Sequence, residues 1–464
     1  MAAFSNAIER LLTFKNSQGS DGRGTLLHMS RSRIVFEVYN PYSIVQLSEV
    51  LQDVTIRRGG APVYSGKAVV SSLVNTGLML IVSATLVDRW SDLMLLVSRK
   101  NDVREEVRHF IVDWETSKSI RPGYQLAVAE LRSFFSQLNP WLDQVDMASD
   151  DSAENVPNDI YEQLREELMP RVSEIQQQFE HEAKKVDLNE LEAHRLYAQR
   201  DLLPLMLRAP FFYRSYTKPL GYAGDYMMVR MMVEGAREGP TTYARLVNDF
   251  YLEIDLVKAH RNRLKILEQH LTALARLAAD EGRTVSVLNV GCGPAVELVR
   301  FISNCQECER CSFELIDFNA ETIAYAKGAL EQAMEYSGRR PKIDFTHQSV
   351  HQLLKTSSSR GREASAERRF DLVYCAGLFD YLSNRVCERL LELFCSWTKI
   401  GGSVFATNVH PDNPTRHIME HVVEWHLIHR TMDDFETLAP KSHEYRVFDD
   451  ETHMNVFLDI KVSS

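Results

Sequence analysis

A short apolar run that enters a glycine-rich turn constrains the fold of this chain more than any other feature. The run and its turn read Val287-Leu288-Asn289-Val290-Gly291-Cys292-Gly293-Pro294, and a helix-like segment, 296–302, follows. Glycine adopts backbone angles that other residues resist and lets a ligand approach the main chain, while the start of a helix offers free N–H groups. The third glycine of a dinucleotide fingerprint is absent, because Ala295 follows Pro294. The pattern predicts a strand, a ligand-binding turn and a helix.

From residue 249 onward, strand-like and helix-like segments alternate. The strand candidates are 285–290, 313–316, 372–375 and 403–407, and two more at 445–447 and 456–460 are typical of a closing hairpin. Alternation of this kind predicts an α/β fold with a parallel, doubly wound, Rossmann-like sheet. Asp317 directly follows the second strand, where a carboxylate can accept hydrogen bonds from ribose hydroxyls.

The first 248 residues have two other patterns. Residues 33–39 alternate polar with β-branched or aromatic side chains, which predicts a β-rich domain over 1–100, a small antiparallel barrel or sandwich. Residues 101–248 are predicted to be helical, with a polar linker near 148–157. The α/β domain is predicted to occupy 249–464.

The composition excludes some partners and predicts a location. The chain has 53 Lys and Arg against 64 Asp and Glu, and its net charge of −11 disfavours binding to nucleic acid or anionic membranes. All 7 cysteines lie between Cys292 and Cys395, unlike a secreted disulfide framework. No apolar run reaches the ~20 residues of a membrane span, and no secretory signal is evident. We expect a cytoplasmic protein without membrane insertion, and a homo-oligomer is left open.

Four motifs in order resemble those of class I S-adenosylmethionine-dependent methyltransferases. They are the glycine turn, Asp317, the fourth-strand segment 370–375 and the turn 400–404 before strand five. Asn289 and Gln348-Ser349 stand where acidic residues often contact the methionine amine and the adenine. The resemblance implies S-adenosylmethionine as cofactor. Either Arg261 or Arg263 could pair with its carboxylate, or these arginines could form surface salt bridges. The expected cofactor-binding residues are Gly291, Gly293, Asp317, Phe318, Gln348, Ser349, Cys375, Arg261, Tyr226 and Asp225.

Other segments are similar to a narrower bacterial family, the extracellular factor 3-hydroxypalmitic acid methyl ester biosynthesis proteins. The similar segments are 218–226, 260–263, 408–414 and 424–430. This resemblance implies methylation of the carboxylate of a 3-hydroxy fatty acid, or of a similar small lipid-like acid. The product would be a methyl ester that serves as a quorum-sensing signal. Another small-molecule oxygen or nitrogen acceptor stays open, as does a regulatory protein that only binds the cofactor.

The N-terminal segment faintly resembles a PilZ domain, with residues 74–78 near the expected polar-plus-glycine turn. Arg31 and Arg33 are too close together to match the arginine pair that grips cyclic di-GMP. The resemblance therefore implies a degenerate PilZ-like domain that does not bind this nucleotide.

The catalytic candidates lie outside the glycine turn. Tyr222, with Asp225 and Tyr226, belongs either to a lid over the ligands or to a helix-start turn with Asp225 as its cap. His410, His417, Glu420 and His426 follow strand five and could bind the acceptor or act as a base, or could form a solvated face. Cys305, Cys308 and Cys311 have spacing that suits a metal, but no fourth ligand is adjacent, so we expect packing and no metal site.

Overall fold

The structure is a computed structural model of the chain, and it does not describe every residue. The described residues are 8–30, 32–39, 45–58, 61–75, 79–88, 107–108, 111, 119–149, 156–235, 237–359 and 370–463. Arg31, the turn at 76–78 and most of the predicted linker, 150–155, lie outside them.

Six strands near the N-terminus form a closed antiparallel barrel in the order β1-β2-β3-β6-β5-β4. Alternate side chains point into the barrel, as the period of a strand requires, and the rings of Phe14 and Phe36 meet inside it at 5.6 Å between centroids. The prediction of a β-rich N-terminal part is confirmed. The strands are Ile8–Lys15, Asp21–Met29, Arg33–Tyr39, Val50–Arg58, Ala61–Asn75 and Met79–Leu86.

Helices follow the barrel and bury one apolar face each in a shared core. The first of them begins at Pro122, where proline loses no helical hydrogen bond. This core extends to a later part of the chain, because the Tyr124 hydroxyl hydrogen-bonds His421 Nδ1 at 2.9 Å. The helices α1–α7 are Pro122–Ala148, Asn158–Ala183, Leu191–Met206, Pro210–Thr217, Tyr226–Glu234, Thr242–Leu252 and Asp255–Asp280.

A seven-stranded sheet forms the C-terminal part, in the order β12-β13-β11-β10-β7-β8-β9. Strands β7–β11 are mutually parallel, whereas β13 runs antiparallel to both β11 and β12. The predicted α/β, Rossmann-like sheet with a closing hairpin is confirmed. Its strands β7–β13 are Val285–Val290, Cys311–Asp317, Lys342–His347, Phe370–Cys375, Thr398–Val409, Glu444–Asp449 and Asn455–Lys461.

The helices between these strands are α8–α13: Val296–Asn304, Ala320–Ser337, Val350–Ser359, Asn384–Trp397, Arg416–His421 and Met432–Leu438. All of them except α12 cover the sheet together with α7, whereas α12 packs against α2 and α3 in the helical core. None of the described helices has the length and apolarity that crossing a membrane requires. The boundaries at residues 100 and 248 stay predictions.

A fully buried arginine ties the loop after β10 to the segment that leads into α13. Arg430 is 1% exposed and donates hydrogen bonds to the carbonyls of Phe379 (2.8 Å) and Leu382 (2.6 Å). It also donates to the side-chain oxygens of Asn384 (2.8 Å) and Asn408 (2.5 Å). A buried guanidinium is tolerated when its N–H groups are paired in this way.

Arg430→Leu should lower the free energy of unfolding by about 3 kcal/mol or more, since three buried acceptors and the exposed Asn384 lose their donor. Urea denaturation measures this loss. The control Arg446→Leu replaces an arginine side chain that is 70% exposed and should change stability by less than about 0.5 kcal/mol. Equal losses in the two variants would contradict the assigned role.

Candidate functional site

A cavity opens at the carboxyl ends of the parallel strands, the edge at which open α/β sheets bind ligands. Its lining comes from the turn after β7, the end of β8, the loop after β10, segment 222–232, helix α7 and a loop of the N-terminal barrel. Segment 425–427 closes it from the side. Its lining includes Gln46, Leu47, Tyr222, Tyr226, His260, Arg263, Asn289, Gly291, Gly293, Asp317, Phe318, Asp380, Tyr381, Trp425 and Leu427.

The glycine turn is fixed against the neighbouring strand. Gly291 and Gly293 have φ values of +72° and +53°, in the left-handed region that glycine adopts without strain. The Gly291 and Cys292 N–H groups both donate to the Ile316 carbonyl, at 2.8 and 3.0 Å. A Cβ atom added at Gly293 would meet no atom within 4 Å, so its backbone faces open space. The turn presents bare main chain to the cavity.

Asp317 ends β8 as a nearly buried carboxylate. Its Oδ2 accepts from the Gly293 N–H at 3.1 Å, and its Oδ1 accepts from the Asn319 N–H at 2.9 Å. Burial raises the pKa of Asp317, and these backbone N–H groups oppose the rise. Each carboxylate oxygen keeps a second lone pair, which can accept a hydrogen bond from a ligand hydroxyl.

Aromatic rings form one wall of the cavity. The rings of Tyr222 and Phe318 lie 4.9 Å apart between centroids, and the Tyr222 hydroxyl hydrogen-bonds Thr322 Oγ1 at 3.3 Å. The Tyr226 hydroxyl donates to Glu321 at 2.8 Å. These contacts anchor segment 222–226 to the start of α9, so its rings cover the end of β8.

Four buried polar atoms of the residues that line the cavity have no hydrogen-bond partner: Asn289 Oδ1, Arg263 Nε, His260 Nε2 and Asn455 Oδ1. Among them are an amide acceptor, Asn289 Oδ1, and a charged donor, Arg263 Nε. The rest of each side chain is engaged, since Asn289 Nδ2 donates to Glu297 at 3.1 Å and Arg263 Nη2 donates to His260 Nδ1 at 2.6 Å. Burial, reinforced by the neighbouring arginines, holds the pKa of His260 well below its usual range, so its ring is neutral and can accept this bond. An unpaired buried polar atom is costly, which makes both atoms candidates for ligand contact.

The barrel supplies part of the cavity roof. Gln46 and Leu47 lie in the loop before β4, and Glu49 holds this loop by accepting from the N–H groups of Gln46 and Ser17, each at 2.7 Å. The next residue, Val50, donates its N–H to the Gly221 carbonyl at 2.7 Å, beside Tyr222. The roof is therefore bonded to the aromatic wall.

Six of the predicted site residues line this cavity, whereas two other predicted residues, Asp225 and Arg261, do not. Asp225 caps α5 by accepting from the Met228 N–H at 3.0 Å, and it pairs with Arg214 at 2.8 Å, so its place is the helix-cap alternative. Arg261 is turned toward the Met232 and Leu252 carbonyls, at 2.6 and 2.7 Å, and Arg263 takes the cavity position instead. The six residues are Gly291, Gly293, Asp317, Phe318, Tyr222 and Tyr226.

The other cofactor candidates lie behind the wall. The Gln348 N–H donates to the Asp317 carbonyl at 2.9 Å, and Ser349 Oγ accepts from the Gln352 N–H at the start of α10. Cys375 is fully buried in the core under the sheet. These positions explain why neither the third-strand segment nor the thiol reaches the cavity.

The structure separates the catalytic candidates that follow strand five from this cavity. His410 Nδ1 accepts from the Asp412 N–H at 3.2 Å, while Glu420 pairs with Arg416 at 2.8 Å and His417 with Glu180 at 2.8 Å. His426 is buried and faces the barrel rather than the cavity. The spacing of Glu420 and His417 predicted one shared helix face, and both do lie on the short helix α12. Their ion pairs are with Arg416 and Glu180, and neither residue lines the cavity that contains Asp317.

The three closely spaced cysteines belong to the core on the other side of the sheet. Burial raises the pKa of Cys305 to about 11 and that of Cys311 to about 12, and Cys308 is fully buried. Within the described ranges, no group of three or more His, Cys, Asp or Glu residues is arranged to hold a metal ion.

No protein-family model matches the chain, and no curated protein matches it in sequence. Solved structures similar to it include a possible exported protein from Bordetella parapertussis, which is 17% identical over 56% of this chain and 88% of that one, with a TM-score of 0.43. Magnesium protoporphyrin IX methyltransferase from Synechocystis PCC 6803, with bound SAH, is 11% identical over 54% and 96%, with a TM-score of 0.35. The N-methyltransferase NodS from Bradyrhizobium japonicum WM9, also with SAH, is 14% identical over 42% and 87%, with a TM-score of 0.28. Scores this low carry no argument about function, which depends on the chain's own residues.

Asp380 should make stability depend on pH. Burial raises its pKa to about 6, although Arg263 and the Val409 N–H oppose the rise. Because the folded protein binds this proton more tightly than the unfolded chain does, the protonated Asp380 stabilises the fold. This contribution to the free energy of unfolding is complete below pH ~4 and is lost as the pH rises to ~6. In Asp380→Asn, urea denaturation should show less of this loss, by on the order of 2 kcal/mol between pH 4 and 7. The control Asp53→Asn, at a side chain 71% exposed, should follow the wild-type profile, and so would Asp380→Asn if the explanation were wrong.

Proposed function

We propose that the chain is an S-adenosylmethionine-dependent methyltransferase. The observation that carries the proposal is the pair of unpartnered buried atoms, Asn289 Oδ1 and Arg263 Nε, in the same cavity as the glycine turn and Asp317. An acceptor and a charged donor suit the amino and carboxylate groups of a methionine moiety. Asp317 suits the ribose hydroxyls, and the bare turn lets the ligand lie against the main chain. The residues present therefore fit this cofactor.

The sheet order supports the same proposal. Strand β13 is inserted antiparallel between β11 and β12. A dinucleotide-binding sheet continues with parallel strands at this position, in the order 3-2-1-4-5-6. The reversed strand distinguishes this sheet from a dinucleotide-binding sheet, and the sequence motifs that the sheet carries resemble those of class I methyltransferases.

The cofactor would supply an activated methyl group on a sulfonium, so the protein's work is to position two molecules and exclude water. Tyr222 and Trp425 cover the cavity from two sides, and Gln46 and Leu47 cover it from the barrel. Trp425 is held in place because its Nε1–H donates to the Tyr381 hydroxyl at 3.1 Å. This enclosure keeps the acceptor and the cofactor aligned away from solvent.

The acceptor that we propose is a small acid with an apolar body, such as a 3-hydroxy fatty acid. An apolar chamber adjoins the cavity and shares Met232, Leu256, Met419 and Trp425 with it. Phe211 and Phe212 continue the chamber into the helical part of the chain. Its free volume of about 30 Å³ has room for only one or two water-sized groups, so an alkyl chain would enter by displacing these side chains. A carboxylate acceptor is already ionised at neutral pH, so methyl transfer to it requires no general base. The division into three domains, the PilZ-like identity of the barrel, the cytoplasmic location and homo-oligomerisation stay predictions.

A transfer assay tests this function. With deuterated-methyl S-adenosylmethionine and 3-hydroxypalmitic acid, mass spectrometry should detect the labelled methyl ester. Asp317→Asn should lower kcat/KM for the cofactor at least ~10-fold, as loss of a charged hydrogen-bond acceptor predicts. The matched control Asp344→Asn, on the next strand and 63% exposed, should stay within about twofold.

Two outcomes of this assay would change the proposal in different ways. Label on an amine or a phenol, and none on acids, would overturn the acceptor class and keep methyl transfer. Cofactor binding without transfer to any acceptor in a broad panel would contradict the enzyme and favour the regulatory alternative.

A further inference from the structure

A second cavity lies on the far side of segment 425–428, between the barrel and helices α3 and α12. Leu47 and Leu427 line both this cavity and the proposed transfer cavity. Of the residues next to Leu427 in the chain, His426 and Ile428 line only the second cavity. The two cavities thus share a wall one residue thick.

The unmet polar atoms of the second cavity are all nitrogens. They are Arg33 Nε, from the barrel, Arg195 Nε, from α3, and His426 Nε2. Arg195 is 8% exposed and His426 is 6% exposed, so solvent does not satisfy them. Buried polar atoms without partners are uncommon in folded proteins, and here two arginine donors and one ring nitrogen of neutral His426 line the same cavity.

The carboxylates of the cavity already have partners. Glu420 pairs with Arg416 at 2.8 Å, and Glu424 pairs with Arg195 Nη2 at 2.9 Å. Glu192 accepts from the Ser30 hydroxyl at 3.0 Å. In the described part of the chain, no buried carboxylate oxygen of this cavity lacks a partner. The unpartnered arginine donors therefore lack a hydrogen-bond acceptor, and a carboxylate is the acceptor that guanidinium groups bind best.

The charge of the cavity limits the ligand further. Three arginines face three glutamates, and burial, with nearby Arg195 and Lys218, holds the pKa of His426 well below its usual range, so that its ring is neutral. The charged side chains of the cavity already sum to zero, so each negative charge of a ligand adds to the cost of desolvation, and a dianion or a larger polyanion is disfavoured more than a monoanion. Much of the remaining lining is aliphatic: Leu47, Leu73, Leu191, Leu196, Leu427 and Ile428. The chemistry therefore suits one negative charge on an apolar body.

We propose that this second cavity binds a small organic monoanion, a carboxylate on an apolar body, and that its occupancy changes the transfer cavity through Leu47 and Leu427. Binding itself is independent of the proposed function, and only the coupling rests on it. Such coupling requires that the shared wall has two conformations and that the monoanion binds them with different affinities.

Calorimetric titration of the full chain with sodium hexanoate tests the site. Arg33→Met should weaken hexanoate binding about 10-fold or more, because the unpartnered donor is lost. The matched control Arg23→Met changes an exposed arginine of the same barrel and should leave the affinity within about twofold. His426→Leu provides a second test, and it should also weaken binding. Equal hexanoate affinity in all four proteins would overturn the proposal.

Two further probes test the chemical class. Hexanol, which lacks the charge, and hexyl phosphate, which carries more of it, should each bind at least about 10-fold more weakly than hexanoate. If hexanol bound as tightly as hexanoate, the cavity would be a non-specific apolar site, and the carboxylate assignment would be overturned.

The coupling is measured with S-adenosylhomocysteine as the probe for the transfer cavity. Its Kd should change at least threefold when hexanoate is saturating, and this change should disappear in Arg33→Met. An unchanged Kd would overturn the coupling. Failure of S-adenosylhomocysteine to bind at all would instead refute the proposed function, and the hexanoate result would still stand on its own.

Discussion

The contact between Ser48 and His426 is the interaction on which both cavities depend. Ser48 Oγ donates to the His426 carbonyl at 2.8 Å and accepts from its N–H at 2.5 Å, so both backbone groups of one buried residue are satisfied by one barrel side chain. This bond fixes a segment in which Trp425 lines the transfer cavity, His426 lines the second cavity and Leu427 lines both. The barrel is thereby part of the site rather than an appended module.

Features that short stretches of sequence encode could be predicted. The glycine turn, the strand before it and Asp317 are close in sequence, and their backbone angles and burial pattern decide what they form. The alternation of strands and helices predicts the sheet for the same reason. Tyr222 and Phe318 could be placed near the ligand because each lies beside a motif, although only the fold shows their rings in contact.

Features that depend on distant partners could not be predicted. His426 follows strand five and looked catalytic, but its bond to Ser48 turns its ring toward the barrel. Gln46 has no local signal at all, because its place in the roof depends on the buried Glu49 beside it. The choice between Arg261 and Arg263 likewise depends on which carbonyls α5 and α6 present to α7. The spacing of residues in the sequence indicates which side chains share a face of a helix. Which of them reach the cavity depends on hydrogen-bond partners from distant parts of the chain.

Arg263 is the residue that we propose to hold the cofactor's carboxylate, and calorimetric titration with S-adenosylhomocysteine tests this role most directly. Arg263→Met should raise the Kd about 10- to 100-fold, the loss expected for a buried charged hydrogen bond. Arg261→Met removes the same charge two residues away and should leave the Kd within about twofold, even if it lowers the Tm. Equal affinity in both variants, or a larger loss for Arg261→Met, would contradict the account.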